Sequence, residues 1–239
     1  MVNFNKTIVS IFSDLYEKYN YNNMNSDIIN YYIDNLEDSK NRHSSEIEGL
    51  KSMYNYICSD EINNSLDNNV VRTLHETLYS KVPFPEVGGT YRNHPVYIEQ
   101  GNIELCPHYE INHLLSILNI EIEELHKISY VIKGNKNIND VLAYTERCIN
   151  VLCKLIYICP FNDGNERVAR GIVNKLLMDV GIAPVFVRSE DKKEYVTSIK
   201  KAIIERDYSD INNFYLSKSS ETMNLLNMGF GNKSLKKIF

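Results

Sequence analysis

Residues 159–170, CPFNDGNERVAR, bring together residue types that bind phosphate groups. A Gly-Asn step that opens a helix leaves backbone N–H groups unpaired at the positive end of the helix dipole. Arg167 and Arg170 lie three residues apart, so both guanidinium groups are expected to reach the same phosphate. Asp163 offers carboxylate oxygens to a Mg²⁺ ion that bridges phosphates. The segment therefore predicts a phosphate site, with a capped helix start and solvated arginines as the alternative.

Helices are predicted on both sides of this segment, because apolar residues recur at helical spacing through most of the chain. The predicted helices cover residues 4–20, 26–37, 44–57, 68–80, 108–118, 121–133, 139–158, 165–180, 191–206 and 209–227. Residues 91–105 partly alternate around the turn-like stretch EQGN, which predicts a short β-hairpin. The phosphate segment is thus expected to join two helices of a mainly α-helical protein.

The composition of the 239-residue chain allows one substantial core and excludes several classes of function. A formal charge of −5 is spread without a basic block, which argues against nucleic-acid binding. The first 20 residues contain only a short apolar run, so neither a secretory nor a membrane segment is expected. Five scattered cysteines without a CxxC arrangement are typical of a reducing compartment, and we expect a cytoplasmic protein.

The phosphate segment resembles the signature of the Fic family, HPFxDGNGRxxR. The matching positions are Pro160, Phe161, Asp163, Gly164, Asn165, Arg167 and Arg170. Upstream, GGTYRNHPVYI resembles the family's flap, and NKLLMDVGIAP, YVTSIKKAI and DYSDINNFYL resemble its later helices. The resemblance covers residues 40–216 and implies a Fic-fold helical domain with a short β-hairpin flap. Three parts follow from it: N-terminal helices with an inhibitory motif in 1–65, the Fic core in 66–216, and the end of the C-terminal helix with a tail in 217–239.

The resemblance implies a protein adenylyltransferase, which transfers AMP from ATP to a Ser, Thr or Tyr hydroxyl of a target protein. It places Mg²⁺ at Asp163. The catalytic residues that it implies are Cys159, Asn165 and Arg167. The nucleotide-binding residues that it implies are Phe161, Gly164, Asn165, Glu166, Arg167 and Arg170.

Cys159 departs from the signature, because the family has a histidine there that acts as general base. A neutral imidazole is suited to this role, since its unperturbed pKa lies near working pH. A cysteine starts near pKa ~8.5, and a helix N-terminus with two neighbouring arginines is expected to lower the pKa of Cys159. Its thiol also reaches less far. A cysteine that retains some catalysis and a structural cysteine in a degenerate site both stay open.

Glu166 is the second departure, since it replaces a glycine that leaves room for the pyrophosphate end of ATP. Its charge is expected to oppose ATP, because a like charge about 4 Å away costs about 4 kcal/mol at an effective dielectric constant of about 20. Alternatively, its carboxylate points outward and stabilises the helix by about 0.3–1 kcal/mol, or it adds a metal ligand. Relatives such as the Doc toxins, which act as kinases, also replace this glycine, so a different transferred group is a further alternative.

Residues 44–50, SSEIEGL, resemble the family's inhibitory-helix pattern [S/T]xxxE[G/N], with Ser44, Glu48 and Gly49 in the matching places. In relatives this glutamate pairs with the second signature arginine, so autoinhibition through a Glu48–Arg170 pair is expected. In some relatives the same glutamate positions the water that removes AMP from the target. Reversal is therefore an alternative activity.

The flap is expected to pair its exposed edge with an extended segment of a target protein, through main-chain hydrogen bonds. The residues assigned to this role are Tyr91, Arg92, Val96 and Ile98. His75 matches a helix histidine of the family and is expected to pack or to form hydrogen bonds, not to act as a base. Self-modification and a homo-oligomer are both compatible with the sequence.

Two functions of different classes remain. The first is an autoinhibited adenylyltransferase that uses ATP and Mg²⁺ and is weak because Cys159 replaces the base. The second is a catalytically degenerate Fic-fold protein that binds a nucleotide or another protein. The remaining signature and flap residues favour the first, whereas Cys159 and Glu166 together favour the second.

Overall fold

The computed structural model describes residues 4–19, 29–30, 33, 43–64, 66, 69–98 and 103–227. Its α-helices are α1 Lys6–Lys18, α2 Ser44–Ile57, α3 Asp60–Asn64, α4 Val70–Tyr79, α5 Ile111–Asn135, α6 Ile138–Ile158, α7 Asn165–Asp179, α8 Lys192–Glu205 and α9 Ser209–Asn227. Short 3₁₀ helices cover Pro85–Val87 and His108–Glu110. The strands β1 Tyr97–Ile98 and β2 Ile103–Glu104 pair antiparallel, with Tyr97 opposite Glu104. The predicted mainly α-helical fold is confirmed.

One hydrophobic core holds these helices together, because each turns an apolar stripe inward. Helix α6 packs against α5, α7 and α8, whereas α2 and α4 pack against each other and against α7. Helix α1 lies along α9. The core runs from Phe12 in α1 to Leu226 in α9, so the N-terminal helices share it with the rest of the chain. The predicted division at residues 65 and 216 stays a prediction.

Residues 111–135 form one helix of 25 residues, whereas two helices were predicted at 108–118 and 121–133. Residues 119–120, left between the two predicted helices, contain no Gly or Pro that would end a helix. Leu118 and Ile122 on either side of them are buried, so packing continues through the predicted break. The short helix α3 was not predicted, and the predicted helix at 26–37 lies largely outside the described residues.

Gly49 lies where α2 crosses α4 at close range. A Cβ atom at this position would collide with the carbonyl oxygen of Leu78, which is backbone and cannot rotate away. Only glycine therefore lets the two helices approach this closely. Gly49, assigned to the inhibitory motif, thus has a packing role that the pattern alone did not reveal.

Gly49→Ala is expected to lower the free energy of unfolding by about 1–3 kcal/mol, because the two helix backbones must separate. The matched control is Gly134→Ala in α5, where a Cβ atom would meet nothing within 4 Å. There alanine is expected to stabilise the helix by about 0.5–1 kcal/mol. Urea denaturation of the two variants measures both effects. Equal effects at the two positions would contradict the close approach of α2 and α4.

Candidate active site

The signature loop, residues 159–164, joins α6 to α7 as predicted. Gly164 precedes α7 with a φ of 79°, a left-handed conformation that favours glycine because it has no Cβ. A Cβ at this position would also lie 2.9 Å from Cε2 of Tyr79. No side chain caps α7, so the N–H groups of its first turn can bind an anion. The helix start predicted for a phosphate is therefore present.

Asn165 braces the signature loop. Its side-chain oxygen accepts a hydrogen bond from the N–H of Phe161 at 2.8 Å, and its amide nitrogen donates to the carbonyl oxygen of Phe161 at 2.8 Å. The amide thereby fixes the loop that precedes α7. These bonds give Asn165 a positioning role, and its assigned roles toward a nucleotide stay predictions.

Phe161 was assigned to nucleotide binding, and the structure corrects this assignment. The side chain is 1% exposed, and its ring stacks on His75 with the ring centroids 3.6 Å apart. The backbone of Phe161 forms a β-bridge with Tyr91, which fixes the loop with this ring turned into the core. Its ring therefore has no face left for a nucleotide.

His75 in α4 connects the segment before the hairpin to the signature loop. Its Nδ1 accepts a hydrogen bond from the N–H of Gly89 at 2.8 Å, so the ring proton lies on Nε2. That nitrogen donates to the carbonyl oxygen of Asp163 at 2.9 Å. Burial lowers the pKa of His75 to about 4, so the ring is neutral near pH 7. The predicted packing and hydrogen-bonding role of His75 is confirmed.

His75 should make the fold sensitive to acid. In the unfolded chain it binds a proton near pH 6.5, whereas in the folded chain its pKa is about 4, so acid favours the unfolded state. Its contribution to the free energy of unfolding should fall from pH ~6.5 to pH ~4 and then level off. His75→Gln should be less stable at pH ~7 but lose less stability on acidification. Parallel pH curves of urea midpoints for parent and variant would contradict this role.

Asp163, the predicted Mg²⁺ ligand, is held by two neighbours. Arg167 Nη2 and the Tyr79 hydroxyl each donate to its Oδ2 at 2.7 Å, and Arg167 also donates to the Tyr79 oxygen at 3.0 Å. Partial loss of hydration at Asp163 acts to raise its pKa, but the Tyr79 hydrogen bond and the Arg167 charge outweigh this and hold the pKa below its usual value. Asp163 is therefore a carboxylate at neutral pH, as a Mg²⁺ ligand must be.

The residues that the structure describes contain no cluster of three or more His, Cys, Asp or Glu side chains that could hold a metal ion. Mg²⁺ commonly binds proteins through one or two carboxylates and completes its shell with substrate phosphates. Asp163, whose side chain is 76% exposed, fits such a site. It fits only together with a phosphate ligand.

Arg170 Nη1 donates a hydrogen bond to Glu166 Oε1 at 2.8 Å, so the Glu166 side chain points toward Arg170. The predicted Glu48–Arg170 pair is wrong. Glu48 is 62% exposed and lies 3.8 Å from Lys51. The physical reason is helix periodicity, since residues four apart on α7 lie one above the other, whereas Glu48 lies on the solvent face of α2. Both signature arginines pair with carboxylates in this structure, and their reach to one phosphate stays a prediction.

Helix α2 nevertheless reaches the site, through a different glutamate. Glu46 Oε2 lies 3.8 Å from Arg167 Nη1. Ser44, the assigned start of the inhibitory motif, is the exposed first residue of α2. The residues that line a pocket of about 350 Å³ include Glu46, Tyr79 and Asp163, the three partners of Arg167. Glu46 and Tyr79 were missed by sequence reasoning, although Tyr79 follows His75 by one helical turn and so shares its face of α4.

Cys159 ends α6 at its C-cap, with a φ of 45°. Burial raises the pKa of its thiol, and the nearby charge of Arg92 only partly offsets this. The predicted depressed pKa is therefore wrong. The thiol lies at the C-terminal end of one helix, where the dipole disfavours an anion, instead of at the N-terminus of the next. The arginine that influences it is Arg92, whereas Arg167 and Arg170 bond to carboxylates.

Arg92 was assigned to target binding, and this assignment is wrong. The residue is 3% exposed. Its guanidinium donates to the backbone carbonyl oxygens of His94, Cys106, Ile158 and Cys159. The carbonyl oxygens of Ile158 and Cys159, at the end of α6, have no partner within the helix, and Arg92 supplies their hydrogen-bond donors. These bonds hold the hairpin against the signature loop. Burial of the side chain leaves no donor at the surface for a target.

Tyr91 also lies at the base of the hairpin. Its ring centroid is 5.5 Å from that of Phe161, and the two residues form the β-bridge, so Tyr91 helps to hold the hairpin on the signature loop, and its assignment to the target-binding edge stays a prediction. Val96 and Ile98 belong to the hairpin itself, where the carbonyl oxygen of Val96 accepts from the N–H of Leu105 at 2.9 Å. Their role toward a target stays a prediction.

The part of the chain that the structure describes has no helix long and apolar enough to cross a membrane.

Comparisons with known proteins agree with this geometry. Residues 65–177 match the model of the Fic/DOC family. The protein adenylyltransferase Fic of Aedes aegypti is 27% identical over 163 residues, which cover 66% of this chain and 29% of that protein. The chain thus spans less than a third of that relative.

Two solved structures show the same fold. Fic-1 of C. elegans, residues 134–508, superposes with a TM-score of 0.70 at 17% identity, covering 92% of this chain and 71% of the other. The BepC protein of Bartonella tribocorum, solved with bound AMPPNP, superposes with a TM-score of 0.52 at 17% identity, covering 72% and 82%. Residues 65–177, which contain the signature loop, are thus similar to the Fic/DOC family, and most of the chain shares the fold of these two solved structures.

Proposed function

We propose that this protein is a slow protein adenylyltransferase, which transfers AMP from ATP to a hydroxyl group of a protein. The observation that carries the proposal is the uncapped start of α7, with Gly164 in a left-handed conformation and Arg167 in its first turn. The relative in Aedes aegypti is named a protein adenylyltransferase, and BepC binds an analogue of ATP. Both support a nucleotide at this position.

In this proposal the N–H groups of the first turn of α7 and the guanidinium of Arg167 bind the phosphates. The N–H groups are fixed by the helix before the ligand arrives, so they stabilise developing negative charge without reorganising. Asp163 would hold Mg²⁺, which neutralises charge on the phosphates when bound. For this, Arg167 must exchange its bond to Asp163 for a bond to the ligand. The hairpin edge beside Val96 would hold the target segment.

The reaction is proposed to be slow because the site lacks a positioned base. A thiol whose pKa is raised by burial is a poor proton acceptor near pH 7. Loss of general-base catalysis costs about 10²–10⁴-fold in rate. The second candidate, a Fic-fold protein that binds nucleotide or protein without transfer, is favoured by the same thiol and by the pairing of both signature arginines with carboxylates.

The experiment that separates these functions uses ATP labelled at the α-phosphate or, in parallel, at the γ-phosphate, with Mg²⁺ and the whole chain. Adenylyl transfer predicts slow covalent labelling from the α-phosphate only, which Asp163→Asn abolishes. Labelling from the γ-phosphate alone would indicate phosphoryl transfer and would contradict the proposal. Nucleotide binding without any label would favour the second candidate.

A further inference from the structure

Glu166 carries an inference that rests on the proposed function, namely that phosphates bind at the start of α7. We infer that Glu166 sets the phosphate-chain length that the site recognises, because it keeps Arg170 from the ligand. The site should then bind nucleoside diphosphates about as tightly as nucleoside triphosphates. Glu166, in the first turn of α7, is then the residue that determines specificity for phosphate-chain length.

Arg170 is fixed from two sides. Its Nη1 bonds to Glu166 Oε1 at 2.8 Å, and its guanidinium carbon lies 5.7 Å from the ring centroid of Tyr195. The Arg170 side chain is 18% exposed, so water screens this pair less than it screens a pair on the open surface. The carboxylate of Glu166 must therefore move away from Arg170, or share its guanidinium with the ligand, before Arg170 can bind a phosphate.

The position of Arg170 along α7 links it to chain length. Arg167 lies in the first turn, and Arg170 lies three residues, about 4.5 Å, further along the helix axis. In the inferred binding mode, a phosphate chain that starts at the helix N-terminus runs along α7 and meets Arg167 first. It reaches Arg170 only when another phosphate extends it. Arg170 is thus the cation that would distinguish the third phosphate from the second.

Charge decides what the third phosphate gains. Glu166 and Arg170 together present no net charge, and in the proposed binding mode Arg167 is already taken up by the preceding phosphates. An added phosphate therefore meets no uncompensated cation here, and it lies close to the Glu166 carboxylate. Glu48, the residue assigned to this inhibitory role from the sequence, is 62% exposed and pairs with Lys51. Glu48 therefore does not compete with Glu166 for Arg170.

Calorimetric titrations of the whole chain with ADP and with ATP, each in excess Mg²⁺, test the inference. Glu166→Gln keeps the size of the side chain but removes its charge. Glu48→Gln is the matched control, since it changes the net charge equally but does not touch Arg170. The parent and Glu48→Gln should bind ADP and ATP within about threefold of each other. Glu166→Gln should prefer ATP by about tenfold or more, the size of one hydrogen bond to a charged group.

A second substitution assigns the gain to the arginine. Adding Arg170→Met to Glu166→Gln should return the ATP preference to the parent value. A parent that already prefers ATP by tenfold, or a Glu166→Gln variant with an unchanged ratio, overturns the inference but leaves nucleotide binding standing. A gain in Glu48→Gln instead would assign the role to Glu48 and also overturn it. If neither nucleotide binds to any of these folded proteins, the inference and the proposed function fail together.

Discussion

Replacing Cys159 with His and Glu166 with Gly is expected to raise the rate of AMP transfer by about 10²–10⁴-fold over the parent chain. The histidine supplies a base whose unperturbed pKa lies near working pH, in place of a thiol whose pKa burial raises. The glycine removes the carboxylate that bonds to Arg170 at 2.8 Å. Self-labelling, or labelling of added target proteins, from α-phosphate-labelled ATP measures the rate.

The single variants divide this effect between binding and chemistry. Glu166→Gly alone should bind ATP more tightly and remain slow, because the base is still missing. A further change of Asp163→Asn in the rebuilt protein should abolish the gain, since the predicted Mg²⁺ ligand is lost. A rebuilt protein that binds ATP but labels no faster than the parent would show that more than these two residues separates this site from an active one.

Arg92→Met is expected to lower the free energy of unfolding by about 3 kcal/mol or more. The change leaves buried carbonyl oxygens without a donor, and hydrogen bonds to charged groups contribute about 1.5–3 kcal/mol each. The hairpin should also detach from the signature loop, because Arg92 bonds to Cys106 on one side and to Ile158 and Cys159 on the other. Urea denaturation measures the stability.

Arg72→Met is the matched control for Arg92→Met. Arg72 is 55% exposed and pairs with Glu76 at 3.0 Å on the surface of α4, so its loss should cost less than about 1 kcal/mol. Arg92→Lys keeps the charge but lacks the five directed donors of a guanidinium group. Its loss of stability should lie between those of Arg92→Met and Arg72→Met. A stability of Arg92→Met within about 1 kcal/mol of the parent would contradict the structural role of Arg92.

Periodicity was enough to predict the helices around the signature loop, because packing follows the apolar stripe of each helix. Positions 165–180, for example, become α7 at Asn165–Asp179. The break near residue 120 was wrong, because no residue there opposes a helix and Ile122 continues the buried stripe. Local signals thus sufficed for helix positions and failed where the length of one helix depended on its packing.

Partners of charged side chains could not be predicted in the same way. Arg92 was placed on a target-binding edge because its segment resembles the Fic flap, but its partners include the end of α6, which is 66 residues away in sequence. The Glu48 pattern matched in type and spacing, yet the rotation of α2 turns Glu48 outward and leaves Glu46 nearer to Arg167. The Glu166–Arg170 pair is local, and its spacing of four residues was a signal that sequence reasoning could have used.

The central claim, that the start of α7 binds nucleotide phosphates, is tested most directly by titrating the parent chain and Arg167→Met with ATP in excess Mg²⁺. We expect one ATP per parent chain and at least about tenfold weaker binding by Arg167→Met, since a charged contact to phosphate is lost. Circular dichroism of both proteins controls for folding. Equal affinities, or no binding by the folded parent, would contradict the account.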